Sequence, residues 1–362
     1  MRVSYKRFEN NPLICPQDLE PSTSGFAVVG VLNPGAFRLG NRLGLILRVA
    51  EQPEAAAGEL TAAIRRDGKY EVLRLRQDDP EVTCTDPRVF CWRGQSYLTS
   101  ISHLLVAWSD DGGRSFKPDY ALRIFPEGPY ETFGIEDCRV EFFEGCYFLT
   151  YTAVSEFGVG IGMISTADWR TFSPHRLLFH PHNKDCALFP ERINGRAWLL
   201  HRPAGIGLGG NFIWISESTD LTYWGKPRCL ARTRPGMWDS ERIGAGAAPF
   251  RVDGGWLEIY HGADASGRYA LGALLLDKND PCRILARSAV PLMEPETEYE
   301  RHGFYHNCIF SNGLMIDGNR LLLYYGAADS VICGAEFSIR EIQDSLFRDT
   351  QAAVNARTLS PS

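Results

Sequence analysis

Five times between residues 33 and 337 the chain repeats one pattern, and a repeat of this length limits the fold more than any other feature of the sequence. Each unit opens on a polar tip and passes through two short β-rich runs around a glycine turn. Several units then end in Ser-x-Asp followed by an aromatic. The openings are Asn33-Pro-Gly-Ala-Phe, Glu136-Asp-Cys-Arg-Val, Lys184-Asp-Cys-Ala-Leu-Phe, Gly244-Ala-Gly-Ala-Ala-Pro-Phe and Tyr305-His-Asn-Cys-Ile-Phe. The second runs align as Leu45-Ile-Leu-Arg-Val-Ala, Phe148-Leu-Thr-Tyr-Thr-Ala, Trp198-Leu-Leu-His-Arg-Pro, Leu257-Glu-Ile-Tyr-His-Gly and Leu322-Leu-Tyr-Tyr-Gly-Ala. Between them lie Phe143-Glu-Gly-Cys, Ile193-Asn-Gly-Arg, Val252-Asp-Gly-Gly and Ile316-Asp-Gly-Asn, which carry tight-hairpin chemistry. The pattern predicts an all-β chain, a five-bladed β-propeller with a short C-terminal helix. It predicts a single catalytic domain over 1–362, with an N-terminal extension of about 1–30 and a helical tail of about 338–362. Asp86-Pro-Arg-Val-Phe is a sixth unit-like opening, which reads either as a hairpin inserted in the first blade or as a blade of its own. Helix signals fall at residues 54–65, which are rich in alanine, and at 338–357.

The bulk properties narrow the partners. A net charge of −6 excludes the clustered basic excess of a nucleic-acid binder. No uninterrupted apolar run reaches the ~18 residues of a spanning helix, and the N-terminus lacks a signal-like apolar stretch, so neither a membrane nor export is expected and the reading is cytoplasmic. The ten cysteines are scattered through strand-like runs and read as buried free thiols; their spacing, like that of the histidines, suits no metal site.

In a propeller the first strand of each blade lines a central channel, so polar tips from separate blades converge. Glu136, Asp137 and Arg139 sit at one tip, and Lys184 with Asp185 at the next, Glu191 following shortly. Arg48, Arg202 and His261 end the second strands of their units. Each cluster alone is as readily a structural ion pair or a solvated turn, but their recurrence at matching positions is harder to explain as surface decoration. Together the cations suit an inorganic phosphate, and the absence of a glycine-rich phosphate loop argues against a nucleotide. Tyr130, Phe133, Trp214, Tyr260, Phe304 and Tyr305 lie near tips or strand ends, where rings can stack on sugar faces.

Gly134-Ile-Glu-Asp-Cys-Arg-Val and Asn183-Lys-Asp-Cys-Ala-Leu-Phe-Pro-Glu resemble two signature blocks of glycoside hydrolase family 130, the β-mannoside phosphorylases and mannosidases. Ile243-Gly-Ala-Gly-Ala-Ala-Pro-Phe, Trp256-Leu-Glu-Ile-Tyr-His-Gly-Ala-Asp and Leu323-Tyr-Tyr-Gly-Ala-Ala-Asp are similar to two more. Cys138 departs from the family's usual proline, and the fifth opening also differs. The resemblance implies inverting phosphorolysis of β-mannosides to α-mannose 1-phosphate, and the Asn11-Pro-Leu-Ile and Gly30-Val-Leu-Asn-Pro-Gly segments look most like the β-1,2 subgroup. It implies Asp137 as the general acid, protonating the glycosidic oxygen through the 3-hydroxyl of the bound mannose. It further implies Arg48, Arg139, Lys184 and His261, with Arg202, as phosphate ligands, and Asn33, Asp185 and Asp329 as mannose ligands, with Glu136 and Tyr260 also on the sugar side. No cofactor is implied beyond inorganic phosphate as co-substrate; the partners are a β-mannoside and phosphate, and homo-oligomerisation stays open. Hydrolysis is the alternative, with Glu191, Glu241 or Glu258 as candidate bases. A five-bladed arabinosidase or fructosidase and a non-enzymatic glycan-binding propeller are more distant ones.

Overall fold

The computed structural model describes residues 3–86, 88–205 and 208–358. The chain is all-β, with almost every regular element a strand. Four-stranded antiparallel sheets follow one another along it. The first is formed by Phe26–Leu39, Arg42–Pro53, Ile101–Ser109 and Lys117–Ile124, and the second by Gly134–Phe143, Cys146–Ser155, Gly158–Thr166 and Arg176–Phe179. The third comprises Asn183–Leu188, Ala197–Pro203, Ile213–Ser218 and Gly225–Ala231. In the fourth, Arg242–Ala245 and Phe250–Val252 share one edge of Gly255–Ala263, followed by Tyr269–Asp277 and Ile284–Arg287. Ile309–Asp317, Arg320–Ala327 and Val331–Ser338 make the fifth, whose outer position is taken by Tyr5–Arg7 from the other end of the chain. The fifth, first and second sheets are continuous only through single parallel pairings, Gly35 with Asn312 and Gly134 with Ser102.

The hairpins form where the sequence places them. Glu144 and Gly145, like Asn194 and Gly195, both have positive φ, the conformation of the two-residue turn that matches strand twist. Many strands read as unbroken apolar runs rather than alternating ones because both faces are covered. Leu45, Ile46 and Leu47 are each fully buried, for example. The core is correspondingly shared between neighbours: the first sheet packs with the second and fifth, the second with the third, the third with the fourth, and the fourth with the fifth. The helix Ile339–Thr358 caps the last of these, inserting Ile339, Ile342 and Leu346.

Two expectations change, the helix over 54–65 and the burial of all the cysteines, and the Asp86 segment resolves in favour of an insertion in the first sheet. Residues 54–65 hold no helix; Glu59–Arg66 is a strand paired with Lys69–Arg76 across Asp67-Gly68, both at positive φ. The tight turn and the β-forming partner outweigh the alanines' weak helix preference. The Asp86 segment belongs to a small three-stranded sheet, Val82–Asp86, Val89–Trp92 and Gln95–Leu98, inserted between the second and third strands of the first sheet. All ten cysteines are free, but only Cys138, Cys186, Cys308 and Cys333 are buried and Cys84 is exposed. Among the described residues no helix is long and apolar enough to cross a membrane.

Candidate active site

The inner strands share a defect, and the defect makes the site. Ladder register slips between Leu32 and Gly35, between Glu136 and Arg139, between Lys184 and Ala187, and between Phe310 and Gly313. In the first three bulges the displaced residue adopts a left-handed backbone: Asn33 at φ 41°, Asp137 at 52° and Asp185 at 53°. Asn and Asp are the non-glycine residues that tolerate this conformation, and a bulge re-aims the side chain it carries. Asp329, at φ 49°, reaches the same place from the turn after Arg320–Ala327. Strained backbone of this kind concentrates at functional sites.

These residues meet in a cavity of about 370 Å³ lined by Asn33, Arg48, Glu136, Asp137, Lys184, Asp185, Arg202 and Asp329. Arg48 organises one wall. Its Nη2 donates to Glu136 Oε1 at 2.8 Å, its Nη1 to Asp137 Oδ1 at 3.1 Å and its Nε to Ser102 Oγ at 3.0 Å. Asn33 Nδ2 donates to the same Asp137 Oδ1 at 2.9 Å, so Oδ2 has no hydrogen-bond partner among the described residues and is left for a ligand. Burial pushes the Asp137 carboxyl up, but Arg48, Lys184, the Asn33 hydrogen bond and Arg139 together hold it below the usual carboxylate value. Burial raises Asp329 instead, against the pull of Arg48 and with Asp137 adding to the rise.

Asp185 organises the facing wall. Arg202 Nε donates to its Oδ2 at 2.6 Å, His261 Nε2 lies 3.3 Å from the same oxygen, and Arg139 Nη2 lies 3.5 Å from Oδ1. Against strong burial, Arg202, His261 and Arg139 hold this carboxyl well below its ordinary range. Space for the contact exists because position 244 is glycine: a Cβ there would collide with the Asp185 carboxylate and the His261 ring. Gly326 likewise leaves room for Asn33 Oδ1.

Three expected ligands do not line the cavity. Arg139 is buried, and its donors go to the carbonyls of Gly246 (2.9 Å), Asp137 (2.9 Å) and Ala245 (2.7 Å). His261, fully buried, stands behind Asp185 against the Phe310 ring. Tyr260 donates to Asp239 Oδ2 at 2.8 Å in a separate cluster, because neighbours on a strand point to opposite faces. Of the candidate bases, Glu191 is exposed and paired with Arg251, Glu241 is exposed, and Glu258 is fully buried, accepting the Gly246 N–H at 2.9 Å. None of the three lines the cavity.

Sequence reasoning missed Arg242 and Tyr269, which line the cavity together, Arg242 Nη1 donating to Tyr269 Oη at 3.1 Å. The signal was available: Arg242 begins the fourth inner strand, two residues before the glycine taken as its start. Phe304 and Tyr305 do line the cavity, whereas Tyr130, Phe133 and Trp214 do not. Arg202 is paired with Asp185, but Lys184 and Arg242 form no ion pair among the described residues, so this wall keeps a net positive character.

An acid with one unbonded oxygen, aromatic rings and a cationic wall in a single cavity are the equipment of a glycan-processing enzyme that also handles an anion. The comparisons agree. The model of glycoside hydrolase family 130, described as beta-1,4-mannooligosaccharide phosphorylase, matches residues 97–348. The chain is 40% identical to the beta-1,2-mannobiose phosphorylase of Listeria innocua over 95% of its own length and 99% of the relative's. It is 31% identical to a 1,2-beta-oligomannan phosphorylase of a Thermoanaerobacter species, over 84% of this chain and 98% of that one. The solved Listeria innocua enzyme, in complex with beta-1,2-mannobiose, superposes with a TM-score of 0.91 at 39% identity, covering 95% of this chain and 99% of that one. The chain belongs to glycoside hydrolase family 130.

Proposed function

We propose that this protein is an inverting β-mannoside phosphorylase that acts on β-1,2-linked manno-oligosaccharides and releases α-mannose 1-phosphate. The observation that carries the reading is the pairing, in one cavity, of Asp137 with an unbonded Oδ2 and a wall of Lys184, Arg202 and Arg242 with spare positive charge. The β-1,2 linkage is supported by the two relatives that span most of the chain, whose names specify it.

In this mechanism phosphate lies on the Lys184 wall and a phosphate oxygen attacks the anomeric carbon from the face opposite the glycosidic bond. As the new C–O bond forms, the old one breaks. Asp137 gives its proton to the mannose 3-hydroxyl, which passes its own to the departing oxygen, and a later proton from bulk water restores the acid. Asn33, Glu136, Asp185 and Asp329 hold the mannose. Arg139 and His261 act as positioning residues, fixing Asp185 and through it Arg202, and Arg48 orients Asp137. A dianion on the Lys184 wall offsets the charge that keeps Asp137 ionised, so phosphate binding favours the protonated acid. Phosphorolysis is favoured over hydrolysis because Glu191, Glu241 and Glu258 all lie outside the cavity. The reaction needs no cofactor besides phosphate as co-substrate.

We further infer that the sheets are five blades of one propeller forming a single catalytic body, closed by Tyr5–Arg7 on the fifth. Support comes from the unbroken cycle of packing from each sheet to the next and from the fifth back to the first.

The test is incubation of the full chain with β-1,2- and β-1,4-mannobiose, with and without inorganic phosphate, reading mannose 1-phosphate and free mannose separately. Mannose 1-phosphate formed from the β-1,2 disaccharide only when phosphate is present is expected. Free mannose at the same rate without phosphate would make the protein a hydrolase.

A further inference from the structure

The segment between Pro53 and Ile101 has no counterpart in the other four sheets, yet it reaches the cavity. Its three-stranded sheet presents Arg88, Val89 and Leu98 there, beside Phe304 and Tyr305. The guanidinium of Arg88 is held from one side: Nε donates to Asp86 Oδ1 at 2.9 Å and Nη2 to Asp86 Oδ2 at 2.6 Å. Its carbon stands 5.6 Å from the centre of the Tyr305 ring. Nη1 forms no hydrogen bond among the described residues, which leaves a fixed donor at the cavity wall.

The platform beneath it is also fixed. Tyr305 Oη donates to the Gly267 carbonyl at 3.2 Å, its N–H donates to the Ala328 carbonyl at 3.0 Å, and the Phe304 N–H donates to Ser330 Oγ at 2.9 Å. These bonds bracket Asp329, so the inserted sheet rests on the loop that supports that carboxylate. Charge separates this end of the cavity from the other. Lys184 is without a carboxylate partner, whereas Arg88 is neutralised by its fork to Asp86. A compensated guanidinium suits neutral hydroxyls; an uncompensated ammonium suits an anion. Arg88 also keeps nearly half of its side chain exposed, which places it toward the mouth by which a departing sugar leaves.

We propose that Arg88 is a specificity-determining residue that holds the leaving-group sugar, Nη1 donating to its hydroxyls while Tyr305 and Phe304 offer ring faces to its apolar side. The proposal rests on the glycan-cleaving reading of the cavity and adds the residue that makes a disaccharide bind better than its reacting half.

Calorimetric titration of the full chain with α-mannose 1-phosphate, which lacks the leaving-group sugar, and with β-1,2-mannobiose, for the native protein and Arg88→Ala, tests it. The variant is expected to weaken mannobiose about tenfold, the value of one charge-assisted hydrogen bond, and to leave α-mannose 1-phosphate unchanged. In turnover, kcat/KM for the disaccharide should fall by the same factor with the KM for phosphate unaltered. An unchanged thermal midpoint is expected for so exposed a side chain and verifies folding. Equal binding of mannobiose by both proteins, or an equal loss for α-mannose 1-phosphate and mannobiose, overturns the role of Arg88 while leaving the proposed reaction in place. A native protein that binds neither sugar overturns both.

Discussion

Two buried aspartates lie on opposite sides of the strand Gly255–Ala263, each set among arginines, and they have different fates. Asp239 is enclosed by Arg234, Arg287 and the Tyr260 hydroxyl, with Arg234 gripping both carboxylate oxygens at 3.0 and 3.1 Å through Nε. None of these four side chains has a buried polar atom without a partner. Asp185 is also surrounded, by Arg202, Arg139 and His261, but its cluster opens on the cavity. On that side His261 Nδ1 is buried without a hydrogen-bond partner, and Lys184, the residue before Asp185, forms no ion pair among the described residues. The density of charge is similar on the two sides. The difference is that one cluster is closed by protein alone and the other borders a cavity that a ligand can enter.

That contrast can be broken or sharpened by substitution. The largest effect is expected at the open side: Asp137→Asn should lower mannose 1-phosphate release about 10²- to 10⁴-fold while calorimetry shows mannobiose still bound. Retained turnover would remove Asp137 as the acid. On the closed side, Asp239→Asn leaves Arg234 and Arg287 without their anion and should cost about 3–5 kcal/mol in urea unfolding, with KM values of the folded protein unchanged. A shift in KM there would mean the closed cluster communicates with the cavity.

Asp185→Asn should combine both losses, and its stability cost should depend on pH. Because the folded carboxyl is held well below its ordinary value, its contribution is fully present above an unfolded pKa of about 3.9 and is lost as pH falls through the lower folded value. The stability gap between native protein and variant should therefore be widest near neutrality and narrow in acid. Unfolding curves at several pH values that keep a constant gap would show that Asp185 is not held as an anion. The smallest effect is expected for Arg242→Ala, at an exposed position: about a tenfold rise in the KM for phosphate, with unfolding unaltered. A rise in the KM for mannobiose instead would move the phosphate away from that wall.

Much of this was legible before the fold. The repeat openings and the Glu-Gly and Asn-Gly turns located the sheets, and the acidic tips located Asp137 and Asp185. Tyr260 and His261 show where such reading stops. Both follow the same apolar run, but adjacent strand residues face opposite ways, and only the packing of the fourth sheet decides which side meets the cavity. Arg139 matched its motif, but its donors are taken up by backbone carbonyls of the fourth sheet, a contact over more than a hundred residues that no local pattern carries. Arg242 and Arg88 were missed for the converse reason. One lay just outside the aligned repeat and the other in an insertion without a repeat to compare.

The sequence by itself determined the order of strands, the hairpins and the residues able to occupy a left-handed bulge, because turn chemistry and backbone sterics act over a few neighbouring positions. The tertiary structure alone decided which charges are satisfied and which face a ligand. Asn33, Arg48, Asp137, Asp185 and Asp329 come from four different sheets, and hydrogen bonds between them exist only after those sheets have packed.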